Sequence, residues 1–313
     1  MTVRIGFKTS PQDVDWTTLD ATWRRAGELT AEPGGGFDSG WLNDHLTNTD
    51  PDEPGPSLEA LTLLATLVHH VPGLLVGHGV LSNTFRHPVL LAKAAVVLDH
   101  ATHGRFLLGL GAGWFEGEHE PFGIDLPPIG PRIDRLVSAV DTLRALFSVE
   151  AATPPGVTRP DPFYPLAGAV NAPPPLTAGG PRLYLGGQGP RGIRLAARTA
   201  SGWLQPGINA GDVGYFGGKC DEILAALETE GRDPSDFDFA AQVSTGRTAA
   251  DRRAAVEAGV GMVGAGATHL ILGMPAALGP AGLDDVVRDC LVPLRDRLGV
   301  TPVDQCAEGS TRR

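Results

Sequence analysis

The chain has 313 residues, 42% of them apolar and 19% charged, with a formal net charge of -11. That composition excludes a disordered chain, and the negative balance argues against nucleic acid or an anionic membrane as a partner. Cys220, Cys290 and Cys306 share no metal or redox spacing, and no apolar run suits a signal or a membrane span, so a cytoplasmic protein is expected.

Short apolar runs alternate with longer amphipathic ones along the chain. "VRIGF" from Val3 reads as a strand and 16–29 as a helix. "FDSGWL" from Phe37 is a second strand, followed by a loop through "TNTDPDEPGP" and a helix over 57–70, with Ser57 and Glu59 placed to cap it. "LLVGHGVL" from Leu74 is a third strand, and a helix runs from Pro88 to about His100. "RFLLGL" from Arg105 is a fourth strand, and 131–147 is a helix with Pro131 at its start. The Pro-rich segment 149–180 breaks the rhythm and reads as an irregular insertion rather than a linker. Four more units follow: "RLYLGG" with 190–199, "GWLQP" with 212–230, "FDFAAQV" with 249–263, and "THLILGM" with 283–298. The tail over 301–313 reads as disordered.

Eight strand–helix units imply an all-parallel sheet, and eight is the number that closes a barrel. An open doubly wound sheet is the alternative, but no Gly-rich dinucleotide turn follows the first strand. The expected fold is therefore α/β: a single (β/α)8 TIM-barrel domain over 1–300, with a Pro-rich insertion after strand four.

In such a barrel the active site lies at the C-terminal ends of the strands. That rule selects Phe7-Lys8, Asn43-Asp44-His45, Gly79-Val80 with Asn83-Thr84, and Gly111-Ala112-Gly113-Trp114. It also selects Gly186-Gly187-Gln188-Gly189, Trp203-Leu204-Gln205 and Leu272-Gly273-Met274. The turn "GGQGPRG" brings backbone N–H groups to a helix's positive end, which suits a phosphate with Arg191 as a further charge; a tight turn before a Pro-initiated helix is the alternative. Asp44-His45 suits an acid–base or hydrogen-bonding pair, or simply a helix cap or loop. His78 reads as a buried core histidine, and His69-His70 as a complement to a helix dipole. Glu116, Glu118, His119 and Glu120 lack the spacing of a metal-binding helix and read as a solvated acidic loop, so no metal is expected. Phe7, Trp41, Trp114 and Trp203 suggest a small-molecule substrate that is apolar or planar; the alternative is that some of them belong to the core.

The blocks "FDSGWLNDHL", "VGHGVLSNTFRHPVLLAKAAVVLDHATHGRFLLGLGAGWFEGEHEPFG" and "PRLYLGGQGPRGIRLAARTASGW" resemble the luciferase-like flavin monooxygenases, and most of all the branch that uses the deazaflavin coenzyme F420. The resemblance runs from strand one to the last helix. It implies the same barrel with an insertion after strand four, and a flat ring lying across the mouth. The ring is expected to rest on a bulge at Gly79-Val80 that contains a non-prolyl cis peptide, with Asn83 close by. The resemblance implies that Gly111, Ala112 and Gly113 are small because the ring and its polyol chain approach the backbone, with Trp114 walling the pocket. It places Asp44 beside the cofactor and His45 near the reacting carbon as catalytic candidates. It assigns the cofactor's phosphate to Gly186, Gly187, Gln188, Gly189 and Pro190. The implied activity is hydride transfer between the C5 position of F420 and a small organic substrate. An FMN-dependent monooxygenase fed by a partner flavin reductase and a non-catalytic flavin-binding barrel are the alternatives, and a homodimer is expected. One departure stands out: where the family's sugar-phosphate dehydrogenases carry a glutamate base after strand four, this sequence has Trp114. Their cationic substrate-binding residues also find no match, which counts against a sugar phosphate.

Overall fold

The computed structural model describes residues 3–32, 36–49 and 55–302. Eight parallel strands form the barrel: β1 (Arg4–Thr9), β2 (Ser39–Leu42), β3 (Leu75–His78), β4 (Phe106–Gly111), β5 (Arg182–Leu185), β6 (Gly202–Leu204), β7 (Asp238–Ser244) and β8 (His269–Gly273). Each pairs with the next, and β8 closes on β1 with Arg4 opposite His269. Around them lie α1 (Trp16–Ala31), α2 (Ala60–Leu67), α3 (Pro88–Ala101), α4 (Ile129–Leu146), α5 (Pro190–Thr199), α6 (Val213–Thr229), α7 (Ala249–Gly264) and α8 (Gly279–Val286). The open-sheet alternative is excluded by the β3–β4 pairing of Val76 with Phe106 and Gly77 with Leu107, which completes the ring.

Local chemistry sets several of the boundaries. Asp15 accepts the Thr18 N–H at the start of α1, which then buries Leu19, Trp23, Ala26 and Leu29 at helical spacing. Thr248 and Asp251 form a reciprocal capping box on α7. Glu59, rather than Ser57, caps α2, while Ser57 Oγ donates to the His45 carbonyl at 2.7 Å. The helix expected over 57–70 is thus shorter at its start and ends in the 3-10 turn Val68–His70. The insertion is more regular than expected, because Val157–Arg159 and Leu166–Ala169 pair as an antiparallel hairpin. Of the tail expected to be disordered, residues 303–313 lie outside the described residues.

Alternation along the strands divides the interior in two. On β1, Ile5 and Phe7 face the helices, with Phe7 edge-on to Trp23 of α1 at 5.1 Å, so Arg4, Gly6 and Lys8 face into the barrel. The lumen holds its own apolar cluster of Trp41, Leu107, Tyr184, Leu204, Ala240 and Ile271. The N-terminal end of the lumen is polar. Asp238 accepts from Arg182 at 2.7 Å and from the Tyr184 hydroxyl, while Ser39 Oγ bonds His269 Nε2 at 2.7 Å and Trp41 Nε1 at 2.8 Å. This closed, charge-paired floor leaves the opposite end of the barrel as the open one.

Candidate active site

At the C-terminal rim, β3 stops at His78. A cis peptide joins Gly79 to Val80, and the chain rejoins the sheet as the two-residue strand Leu81–Ser82, opposite Leu110 and Gly111. Asp44 fastens this bulge. Its Oδ2 accepts the Ser82 N–H at 2.7 Å, and both of its oxygens accept from Arg86, at 2.6 and 2.8 Å. Arg86 also donates to Glu59. Burial opposes the Arg86 charge, but its two carboxylate partners outweigh it and raise the pKa above the ordinary value. Burial likewise opposes the Glu59 charge, yet Arg86 and Thr62 bring that carboxyl down to about 2.

His45 belongs to a different network. Its Nδ1 donates to Glu118 Oε1 at 3.0 Å, and Glu118 Oε2 accepts the Leu46 N–H at 2.8 Å. Nδ1 is the nitrogen engaged with the carboxylate, which leaves Nε2 as the ring nitrogen outside the pair. Trp114 stands edge-on to the imidazole at 5.9 Å and is itself 60% exposed. The reading of residues 116–120 as a solvated loop is corrected here. Glu116–His119 is a short helix, and Glu118 and His119 are 2% and 1% exposed. His119 bonds Thr84 Oγ1 at 2.7 Å and the Phe115 carbonyl at 2.6 Å. Sequence reasoning missed Glu118 because its partner lies 73 residues away and no local spacing marks it.

The glycines of the fourth strand end have occupants within the chain. A Cβ at 109 would lie 1.8 Å from the His78 carbonyl oxygen, and one at 111 would lie 2.8 Å from Val80 Cγ2. Gly113 has φ +79°, and its Cβ would lie 2.7 Å from Thr84 Oγ1. The bulge therefore requires these small residues on steric grounds alone. Beside it, Asn83, Thr84, Arg86, Ala112, Arg132 and Tyr164 line a cleft of about 210 Å³. Asn83 is buried, and among the described residues its Oδ1 has no partner.

After β5, Gly186 to Gly189 lead into α5, which starts at Pro190 and has no side-chain cap. The Gln188 Oε1 accepts from the Tyr215 hydroxyl at 2.8 Å, and the Gly187 carbonyl accepts from Trp203 Nε1 at 2.9 Å. Gly187 packs on Gly192 in the first turn of α5, whereas a Cβ at Gly189 would meet open space. Arg191 turns away to Asp134.

Of the four aromatic candidates for the mouth, two belong to the core instead. Phe7 packs between β1 and α1, and Trp203 packs outward against Phe216 of α6 at 5.8 Å. Trp41 does face the lumen. His78, as expected, is fully buried, with Nε2 donating to the Ala60 carbonyl at 3.1 Å; desolvation lowers its pKa to about 4. Among the described residues, no group of three or more His, Cys, Asp or Glu gathers as a metal site, and no helix is long and apolar enough to cross a membrane.

A family model described as luciferase-like monooxygenase matches residues 4–281. The phthiodiolone/phenolphthiodiolone dimycocerosates ketoreductase of Mycobacterium tuberculosis is 30% identical over 242 residues, 71% of this chain and 61% of the relative. An F420-dependent glucose-6-phosphate dehydrogenase of Kribbella flavida is 31% identical over 205 residues, 65% of this chain and 57% of the relative. The chain thus spans about three fifths of the length of these curated relatives. An F420-dependent secondary alcohol dehydrogenase, solved with an F420-acetone adduct, superposes with a TM-score of 0.76 at 18% identity, covering 95% of this chain and 100% of that one.

Proposed function

Because this chain belongs to the luciferase-like monooxygenases, a family of oxidoreductases, we propose that it uses coenzyme F420 to move a hydride to or from a small organic substrate. The observation that carries this reading is the His45–Glu118 pair beside a fastened bulge, in a chain whose relatives include an F420-dependent dehydrogenase. The residues present fit a flat heterocycle with a phosphate-bearing tail. Asn83 Oδ1 is a buried acceptor in need of a donor, and the uncapped start of α5 leaves N–H groups for an anion.

When bound, the deazaflavin supplies a two-electron hydride exchange at its C5. The chain supplies everything else. Gly186, Gly187, Gln188, Gly189 and Pro190 would hold the phosphate, and Val80 with Ala112 and Gly113 would form the surface against the ring. Asp44, through Ser82 and Arg86, fixes the height of that surface. His45 Nε2 exchanges the proton at the substrate's reacting group, and Glu118 stabilises the imidazolium that results. Trp114 shields the imidazole from one side.

Spectral titration of the purified protein with F420 and with FMN, followed by turnover of each reduced cofactor with and without oxygen, tests the proposal. Tighter binding of F420 and oxygen-independent turnover are expected. Preference for FMN with oxygen consumption would turn the reading to a two-component monooxygenase. Binding of either cofactor without any turnover would leave a non-catalytic barrel.

A further inference from the structure

Lys8 is one of only three lysines in the chain, with Lys93 and Lys219, and it alone points into the barrel mouth. Its register neighbours are Trp41 on β2 and Gly273 on β8. Its ammonium donates to Gln242 Oε1 on β7. Gln242 is itself held, with its N–H donating to Gln205 Oε1 at 2.9 Å and its side-chain amide donating to the Gln205 carbonyl. Every one of these neighbours is uncharged. Among the described residues Lys8 forms no ion pair, and burial alone brings its pKa down to about 8, with no charged group contributing. A largely buried cation with one neutral acceptor is a costly arrangement that an incoming anion would relieve.

Two glycines flank the ammonium. A Cβ at Gly207 would lie 3.8 Å from Lys8 Nζ and 3.9 Å from Gln242 Oε1, and a Cβ at Gly273 would lie 3.6 Å from Lys8 Cε. Lys8 and Gly273 are half-buried and Gly207 is exposed, so a ligand group can reach the charge from the mouth. The carboxylates nearest the mouth by sequence are engaged elsewhere: Asp44 by Arg86 and Ser82, and Glu118 by His45 and Leu46.

We propose that Lys8 is the anchor for an anionic group of the substrate, which is therefore an organic carboxylate or similar oxyanion whose reacting carbon lies elsewhere in the molecule. This rests on the oxidoreductase reading above and names its substrate class. The anion accepts from Nζ beside Gly207 and Gly273, while Gln242 keeps the ammonium aimed into the mouth. Lys8 is a positioning and specificity residue in this scheme; it takes no part in the proton exchange assigned to His45.

The test labels amines with trace acetic anhydride and follows Lys8, Lys93 and Lys219 by mass spectrometry across pH. The probes are 4-oxopentanoate, benzoate and decanoate, each beside its methyl ester, with F420 binding titrated in parallel. Lys8 should react at lower pH than the other two lysines. At least one carboxylate should slow its labelling about tenfold, equivalent to one pK unit, and the matching ester should not. Gly207→Asp, which puts a carboxylate beside Nζ, should abolish that protection. In a thermal melt the protecting acid should stabilise the wild type more than its ester does, whereas in Lys8→Met acid and ester should act alike, with F420 bound as in the wild type. Equal protection by acids and esters, or no protection by any of the three acids, overturns the proposal. Failure of the wild type to bind F420, with acid protection of Lys8 intact, overturns the cofactor reading and leaves the anion site standing.

Discussion

Asp44 and His45 are neighbours in sequence whose side chains serve separate networks. Asp44 holds Arg86 and the Ser82 N–H. Removing it strands a buried guanidinium, and because Glu59 remains as a partner, Asp44→Ala should cost about 3 kcal/mol, the low end for breaking a buried pair. The bulge loosens with it, so urea denaturation and cofactor titration should both weaken. His45→Ala should behave otherwise, lowering the single-turnover rate of the folded enzyme at saturating cofactor by roughly 10²–10⁴-fold, beyond any loss of melting temperature from leaving the buried Glu118 with only the Leu46 N–H. An undiminished rate ends the proton-transfer role of His45. Glu118→Gln should fall between the two, because it keeps a hydrogen bond but loses the charge that stabilises the imidazolium. At Lys8 the sign is reversed for stability. Its folded pKa lies below the ordinary value, so a desolvation penalty is fully present below about pH 8 and fades as pH rises from there toward 10.5. Lys8→Met should therefore stabilise the unliganded protein at pH 7, by roughly 1–3 kcal/mol in a thermal or urea melt.

The turn before α5 shows how one motif can mix two kinds of glycine. Gly187 lies against Gly192, where a Cβ would come within 2.8 Å of a backbone carbon, so it is needed to pack the turn on its own helix. Gly189 has open space beside it and no positive φ, so protein packing does not require it. Gly187→Val should therefore lower the melting temperature. Gly189→Val should leave the melt alone and weaken cofactor binding by crowding the N–H groups at the helix start. Wild-type cofactor affinity in Gly189→Val would place the phosphate elsewhere. The glycines of β4 are both of the first kind. Those at 109 and 111 make room for the His78 carbonyl and Val80, which is a requirement of the bulge itself.

For the molecule as a whole, two buried histidines set an acid limit. His78 packs outside the barrel and His269 lies in its floor; both are fully buried, and each has an Nδ1 without a partner among the described residues. Desolvation lowers their pKa values from 6.5 to about 4 and about 3. Above 6.5 both are neutral whether folded or unfolded, and no cost arises. As pH falls below 6.5 the unfolded chain takes up protons that the folded one refuses. Stability should drop by about 1.4 kcal/mol per pH unit per histidine until the folded values are reached. Urea midpoints between pH 7 and 4 measure this, and replacing either histidine with glutamine should roughly halve the slope. A flat profile would mean that both rings reach water.

The barrel, the order of its strands and the positions of the turns at its mouth were legible in the residues alone. Those features depend on local periodicity, on capping residues such as Asp15 and Thr248, and on Pro and Gly at the ends of elements. The sequence also placed the cis bond at Gly79-Val80, through the family resemblance. Which side chains meet was decided only by closing the barrel. Glu118 looked like one more acid in a polar loop until the fold set it against His45 from 73 residues away. Phe7 and Trp203 sat at the right height on their strands but on the wrong face, because side-chain direction alternates and the helices claimed them. Lys8 fell on the inward face next to Phe7, and its missing counter-charge became visible only once the neighbouring strands were in place. Local patterns fix backbone elements because those energies are short-range, whereas charge pairing and burial depend on groups that only tertiary contact brings together.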